Sequence, residues 1–134
     1  MNGKFRHKGS VLLITIFVIA LLAAAVMGML QLSTEEIKLM HNQISAAHAL
    51  AIAEAGLNDA FSELRTNSDW NDGFDDKAFN GGSYTVTFSG SLPNLTVEST
   101  GTSSQAFVAR ISTDVTVSSS SPYIIRIDNL RINE

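Results

Sequence analysis

Asp72, Asp75 and Asp76, grouped around Gly73, are the only concentrated set of hard oxygen ligands in this 134-residue chain, the donor type that calcium takes. Their spacing is not that of an EF-hand loop, so an ordinary solvated acidic loop is the plainer reading and no cofactor other than calcium is in question. His41 and His48 stand seven residues apart on one helical face, whereas metal ligation from a helix uses a closer pair such as i and i+4. They read as surface or interface residues. Glu54 falls among apolar positions, where a carboxylate is a subunit contact, a cap for the first strand connection or, more commonly for glutamate, a wet residue at the edge of the stripe. Trp70 and Phe74 flank the aspartates and read as a partner contact or as side chains packing a loop onto a sheet. No serine, histidine and acid grouping, no glycine-rich phosphate loop after a strand and no acid–base pair has a distinguishing context. No enzyme is expected. The absence of cysteine excludes structural disulfides, thiolate metal sites and thiol nucleophiles.

The elements that must carry these residues fall into two parts. Hydrophobic residues make up 45% of the chain, but Val11 to Leu30 is interrupted only by Thr15 and Gly28. At 1.5 Å rise per residue, about 20 such residues span roughly 30 Å, the hydrocarbon thickness of a bilayer. Lys4, Arg6, His7 and Lys8 precede this run and Glu35 and Glu36 follow it, so the positive-inside rule places the N-terminus in the cytoplasm and the chain beyond Gln31 outside. Of the formal net charge of −4, Lys4, Arg6 and Lys8 contribute +3 and the remainder −7, a poor balance for binding nucleic acid. Ala24 and Gly28 form a small-xxx-small spacing that lets membrane helices approach closely, although so alanine-rich a segment offers such matches freely. A plain signal anchor fits the same flanks. So does a secretory signal peptide with Val11 to Leu22 as its apolar region and a cleavage site among Ala23, Ala24 and Ala25.

The helical pattern continues past the membrane surface, because Ser33 to Leu64 has no proline and only Gly56 as a weak breaker. One helix from Val11 to about Arg65 is expected, and a cleaved signal peptide has no reason to be continuous with it. Ile37, Met40, Ile44, Ala47 and Ala51 follow helical steps, and Leu50, Ala53, Leu57, Phe61 and Leu64 form a second stripe. Thr66 to Gly82 reads as a loop. Beyond it the period changes to two: Tyr84, Val86 and Phe88, then Leu95 and Val97, then Phe107, Ala109, Ile111, Val115 and Val117, then Tyr123, Ile125 and Ile127. The alternation slips between Ile127 and Leu130, which predicts a bulge or break near Asp128 and Asn129. Short connections favour antiparallel neighbours. The fold class is therefore α+β, a small antiparallel sheet laid over the non-membrane part of one long helix, each supplying the apolar face the other must bury.

The order of basic leader, Lys8-Gly9, long apolar helix, amphipathic continuation and small sheet resembles the type IV pilin-like superfamily of minor pilins and pseudopilins. Ala53-Glu54-Ala55-Gly56-Leu57 is similar to a helix segment that recurs in one group of minor pilins. Ser83-Tyr84-Thr85-Val86-Thr87, Glu98-Ser99-Thr100-Gly101-Thr102 and Ala109-Arg110-Ile111 resemble the strands of the same group. The resemblance implies cleavage by a prepilin peptidase after Gly9, leaving Ser10 as the mature N-terminus. Most major pilins carry a glutamate that pairs with a neighbour's terminal amine; counting from Ser10, Ile14 occupies that position here, and Ser10 itself replaces the usual phenylalanine.

The implied organisation is a leader over 1–9, the transmembrane half of the helix over 10–32, its amphipathic half over 33–65, and a loop and sheet over 66–134 forming one globular domain with 33–65. The implied function is that of a minor pilin or pseudopilin in the cytoplasmic membrane and then in a filament. Its partners are other pilin-like subunits, the membrane and the peptidase, with an assembly platform and cytoplasmic motor acting indirectly and no direct contact with nucleic acid. The competing function is a membrane-anchored extracytoplasmic binding module, calcium-dependent through Asp72, Asp75 and Asp76.

Overall fold

The computed structural model describes residues 4–133, in the order α1 (Lys4–Thr66), β1 (Phe74–Phe79), β2 (Gly82–Ser91), β3 (Asn94–Thr102), β4 (Val108–Val117) and β5 (Ile125–Asn133). Met1 to Gly3 of the expected leader, and the side chains of the basic cluster, lie outside what is described. The chain divides into two compact units, Met1–His41 and Asn42–Glu134. In the first, every described side chain from Gly9 to His41 is exposed, and the helix is long and apolar enough to cross a membrane. The helix begins upstream of the expected Val11, since neither Gly9 nor the basic residues before it break a helix as proline would.

In the second unit, α1 packs on a five-stranded antiparallel sheet of order β1-β2-β3-β4-β5, the expected α+β arrangement. Each strand pairs with its sequence neighbour. The strand beginning at Phe74 corrects the reading of Thr66 to Gly82 as loop. Phe79 pairs with Gly82 across Asn80 and Gly81, both at positive φ (46° and 79°), the two-residue turn whose twist matches that of paired strands. Asn-Gly was the available signal. The carboxylates and Lys77 of β1 obscured it, because they give an edge strand little apolar alternation while guarding it against unwanted pairing.

The slip in the last run is a bulge, as the alternation predicts. Asp114 pairs with Asn129 and Val115 with Ile127, leaving Asp128 as the extra residue. Its carboxylate accepts from the Thr116 hydroxyl and from Arg126 Nε at 2.7 Å, and these bonds hold the Asp128 carboxyl below the usual carboxylate range. Tyr123, expected within this run, precedes β5 and is half-buried.

The core joins Ala49, Ile52, Ala53, Leu57, Ala60, Phe61 and Leu64 of α1 to Tyr84, Val86, Leu95, Val97, Ala109, Ile111, Val115 and Val117 of the sheet. The second helical stripe is thus the buried one, widened by Ala49 and Ile52. The first is not covered: Ile37, Met40 and Ile44 are 54%, 61% and 63% exposed, and Ala47 and Ala51 are exposed too. At 3.6 residues per turn Ile44, Ala47 and Ala51 lie about half a turn from the buried positions, so they cannot share the sheet with them.

Candidate functional site

The helix meets the sheet along a seam built from small residues. Gly101 of β3 faces the backbone of α1 so closely that a Cβ there would lie 2.3 Å from the carbonyl oxygen of Ala49 and 2.4 Å from the amide nitrogen of Ala53. One turn along the helix, a Cβ on Gly56 would lie 2.6 Å from Ser99 Oγ and 2.7 Å from the Tyr84 ring. Between these points the buried Ser99 hydroxyl donates to the carbonyl oxygen of Ala53 at 2.7 Å. That bond satisfies a polar group with no access to water and fixes the register of helix on sheet. Ala53-Glu54-Ala55-Gly56-Leu57 and Glu98-Ser99-Thr100-Gly101-Thr102 are therefore the two sides of one contact.

Beside the seam, Asp59 on α1 ties the β1–β2 hairpin to the helix. Its Oδ2 accepts from Lys77 Nζ at 2.5 Å and from the Tyr84 hydroxyl at 2.6 Å, and Lys77 Nζ lies 4.4 Å from the centre of the Phe74 ring. The hydrogen bond from Lys77, with that from Tyr84, lowers the Asp59 pKa; the bond to Asp59 raises that of Lys77. Burial, then the bond to Asp59, raises that of Tyr84. Side-chain exposures of 34% for Asp59 and 48% for Lys77 leave the pair screened by solvent, so it contributes modestly. Because the folded-state pKa of Asp59 is depressed, its contribution is present above the ordinary carboxylate range and is lost as pH falls through the lowered value. Asp59→Asn is expected to lower the melting temperature slightly at neutral pH and to flatten the loss on acidification. Parallel acid titrations of both proteins by circular dichroism would show the two curves converging at low pH; a constant gap would assign no such role to Asp59.

Compared with family models, curated proteins and solved structures, the chain has no match.

The acidic cluster is not assembled. Among the described residues no three histidine, aspartate or glutamate side chains are grouped to hold a metal ion. Asp72 precedes β1, while Asp75 and Asp76 form a bulge between the pairs Phe74 with Val86 and Lys77 with Tyr84, all three exposed. Asp76 is held at a φ of 44° and its amide donates to Thr85 Oγ1 at 3.1 Å. Asp75 and Asp76 oppose the single residue Thr85, one extra residue that disrupts the pairing and re-aims the side chains of this edge strand. Glu54 is exposed, the wet-edge alternative. His48 is half-buried with its Nε2 3.3 Å from Asn80 Nδ2, and His41 is exposed. Trp70 packs against Phe74 and Phe88 with ring centres 5.1 and 5.2 Å apart, so it seats the loop on the sheet. Gly9, Ser10 and Ile14 are exposed residues of α1, with nothing near the place a Gly9 Cβ would take. Asp59, Lys77, Ser99 and Gly101 in its packing role were not singled out from the sequence. Their roles depend on partners 18 to 52 residues away in the chain, which no local pattern exposes.

Proposed function

We propose that this protein is a non-enzymatic filament subunit of the type IV pilin-like class, a minor pilin or pseudopilin serving pilus assembly or initiation or a related secretion machine. The observation that carries the reading is the seam: the helix segment Ala53 to Leu57 and the strand segment Glu98 to Thr102, two of the segments on which the resemblance rests, meet at Gly101 and through the bond from Ser99 to Ala53. The helix long and apolar enough for a membrane span supports it further. The protein inserts once in the cytoplasmic membrane with its N-terminus inside and the Asn42–Glu134 unit outside. A prepilin peptidase removes the leader after Gly9. The apolar helix then passes from lipid into a bundle of like helices, which conserves burial at little net cost. A platform and a cytoplasmic motor act on it without being part of it.

Sequencing the N-terminus of the native protein tests this directly, with Ser10 expected as the first residue. Gly9→Leu is expected to abolish processing while leaving the protein inserted, detected as a retained leader by mass. A leader kept by the wild type in cells that process other pilins would defeat the reading and leave an anchored binding module.

Ile14 sets where in the filament the subunit belongs. Lacking a carboxylate, it cannot neutralise a neighbour's terminal amine, and an unpaired charge among apolar helices costs on the order of 2 to 4 kcal/mol. The subunit is therefore expected in a few copies at a filament end or in an initiating complex. Subunit counting on purified filaments by quantitative mass spectrometry checks this; regular occupancy along the shaft would contradict it.

A further inference from the structure

The end of the sheet at which α1 stops carries a trough beside the core. Three connections meet there: residues 67–73 after the helix, the Leu92-Pro93 turn between β2 and β3, and residues 118–124 between β4 and β5. Each is tied down by a hydrogen bond. The Asp69 amide donates to Asn67 Oδ1 at 3.1 Å, the Val117 amide to the carbonyl oxygen of Pro93 at 2.8 Å and the Ile124 amide to Ser118 Oγ at 2.8 Å. Loops fixed on a scaffold are where recognition residues concentrate, because their surface is in place before a ligand arrives.

Two clefts of about 370 and 630 Å³ adjoin in this trough, both within the size range of small-molecule sites. Ser68, Asp69 and Leu92 border both. Trp70 and Phe88 wall the first cleft and Tyr123 the second. Packing against Phe74 and Phe88 takes up part of the Trp70 ring and leaves it half-buried, with the rest at the cleft wall.

The chemistry of the lining selects the ligand. Asp69 is the only acid there, and no lysine, arginine or histidine lines either cleft, so an anion would meet uncompensated negative charge. Asp69 is exposed, and the four ion pairs among the described residues use other carboxylates. Ser68, Asn71, Ser91 and Ser119 add hydroxyl and amide groups, the adaptable hydrogen-bonding types of recognition loops. An organic cation is held by aromatic faces gathered around one point, whereas these aromatics are divided between two clefts. A purely apolar ligand would strip water from Asp69 without replacing its hydrogen bonds. A ligand dense in hydroxyls, with apolar C–H faces repeated along its length, satisfies both the polar groups and the two aromatic walls.

We propose that this trough binds a neutral oligosaccharide of gluco-configured pyranose rings, one ring in each cleft. Equatorial hydroxyls leave such rings with flat C–H faces to lie against Trp70 and Tyr123, while Asp69, bordering both clefts, accepts their hydroxyls. The site stands whether or not the chain enters a filament.

Trp70 is the only tryptophan of the chain, so its emission reports on the first cleft. Full-length protein in a polyoxyethylene detergent, which has no sugar head group, is titrated with cellotriose, maltotriose and triacetylchitotriose, with glucose and tetramethylammonium as comparisons. At least one trisaccharide is expected to change the emission saturably, with a Kd about tenfold or more below that of glucose because both clefts are filled. Asp69→Ala and Leu92→Arg, both at exposed positions, are expected to raise that Kd about tenfold or more while leaving the thermal melt unchanged. No response to any trisaccharide, a response that survives both variants, or equal affinity for glucose overturns the proposal. A response to tetramethylammonium alone overturns it in favour of a cation site.

Discussion

Gly101→Val is expected to unfold the Asn42–Glu134 unit. Valine favours strands over glycine, and host-protein scales put that preference within about 1 kcal/mol, so local propensity alone predicts a gain. The seam predicts the opposite sign. The new Cβ would meet two backbone atoms of α1 within 2.4 Å, and backbone held in a helix cannot turn aside as a side chain can. Overpacking of this kind costs about 3 kcal/mol or more where nothing yields. A unit of this length has a stability on the order of 5 to 10 kcal/mol, so the loss is a large share of the whole. Chemical denaturation of a fragment beginning near Glu35, which retains the whole compact unit, is the measurement. Thr100→Val, one residue away on the opposite face, serves as the control and should change little. An unchanged midpoint for Gly101→Val would mean that the helix does not lie on β3 as described. Gly56→Leu probes the other side of the seam, where a helix-propensity gain of about 1 kcal/mol opposes a clash with Ser99 and the Tyr84 ring.

Leu57→Asp is expected to be as damaging at neutral pH, by a different route. Leu57 is 6% exposed, within the apolar core that α1 shares with Tyr84, Val86 and Val97. A carboxylate there loses its hydration without a partner, and leaving a charge unpaired in a core costs about 3 to 5 kcal/mol. Burial raises the folded-state pKa of such a carboxyl above its unfolded value. Stability should therefore be lost as pH rises through the unfolded and then the raised pKa, and partly regained on acidification. Leu57→Asn separates charge from shape: it should be less harmful at pH 7 and lack the recovery at low pH. Equal melts for the two variants at every pH would place position 57 in water.

The pattern of residues already contained the helix, its amphipathic second stripe, four of the five strands and the slip at Asp128, because period and apolarity are local properties of a chain. It lost β1, where a bulged and charged edge strand has little alternation to read, although Asn80-Gly81 marked its hairpin. It put two apolar stripes on the helix, and only the stripe through Leu57 lies under the sheet.

Composition and spacing by themselves determined that this chain has an apolar helix long enough for a membrane and a sheet that must cover part of that helix. Tertiary structure alone decided where the two meet. Gly56 and Gly101 are 45 residues apart in the sequence, and each looks like an ordinary weak point in its own element. Only when the helix lies across β3 does Gly101 come against the helix backbone, and Gly56 against the Ser99 and Tyr84 side chains, too closely for a Cβ at either. The same placement decides that Ile52 is core while Ile127 and Leu130 are left outside, since a single helix is too narrow to cover five strands.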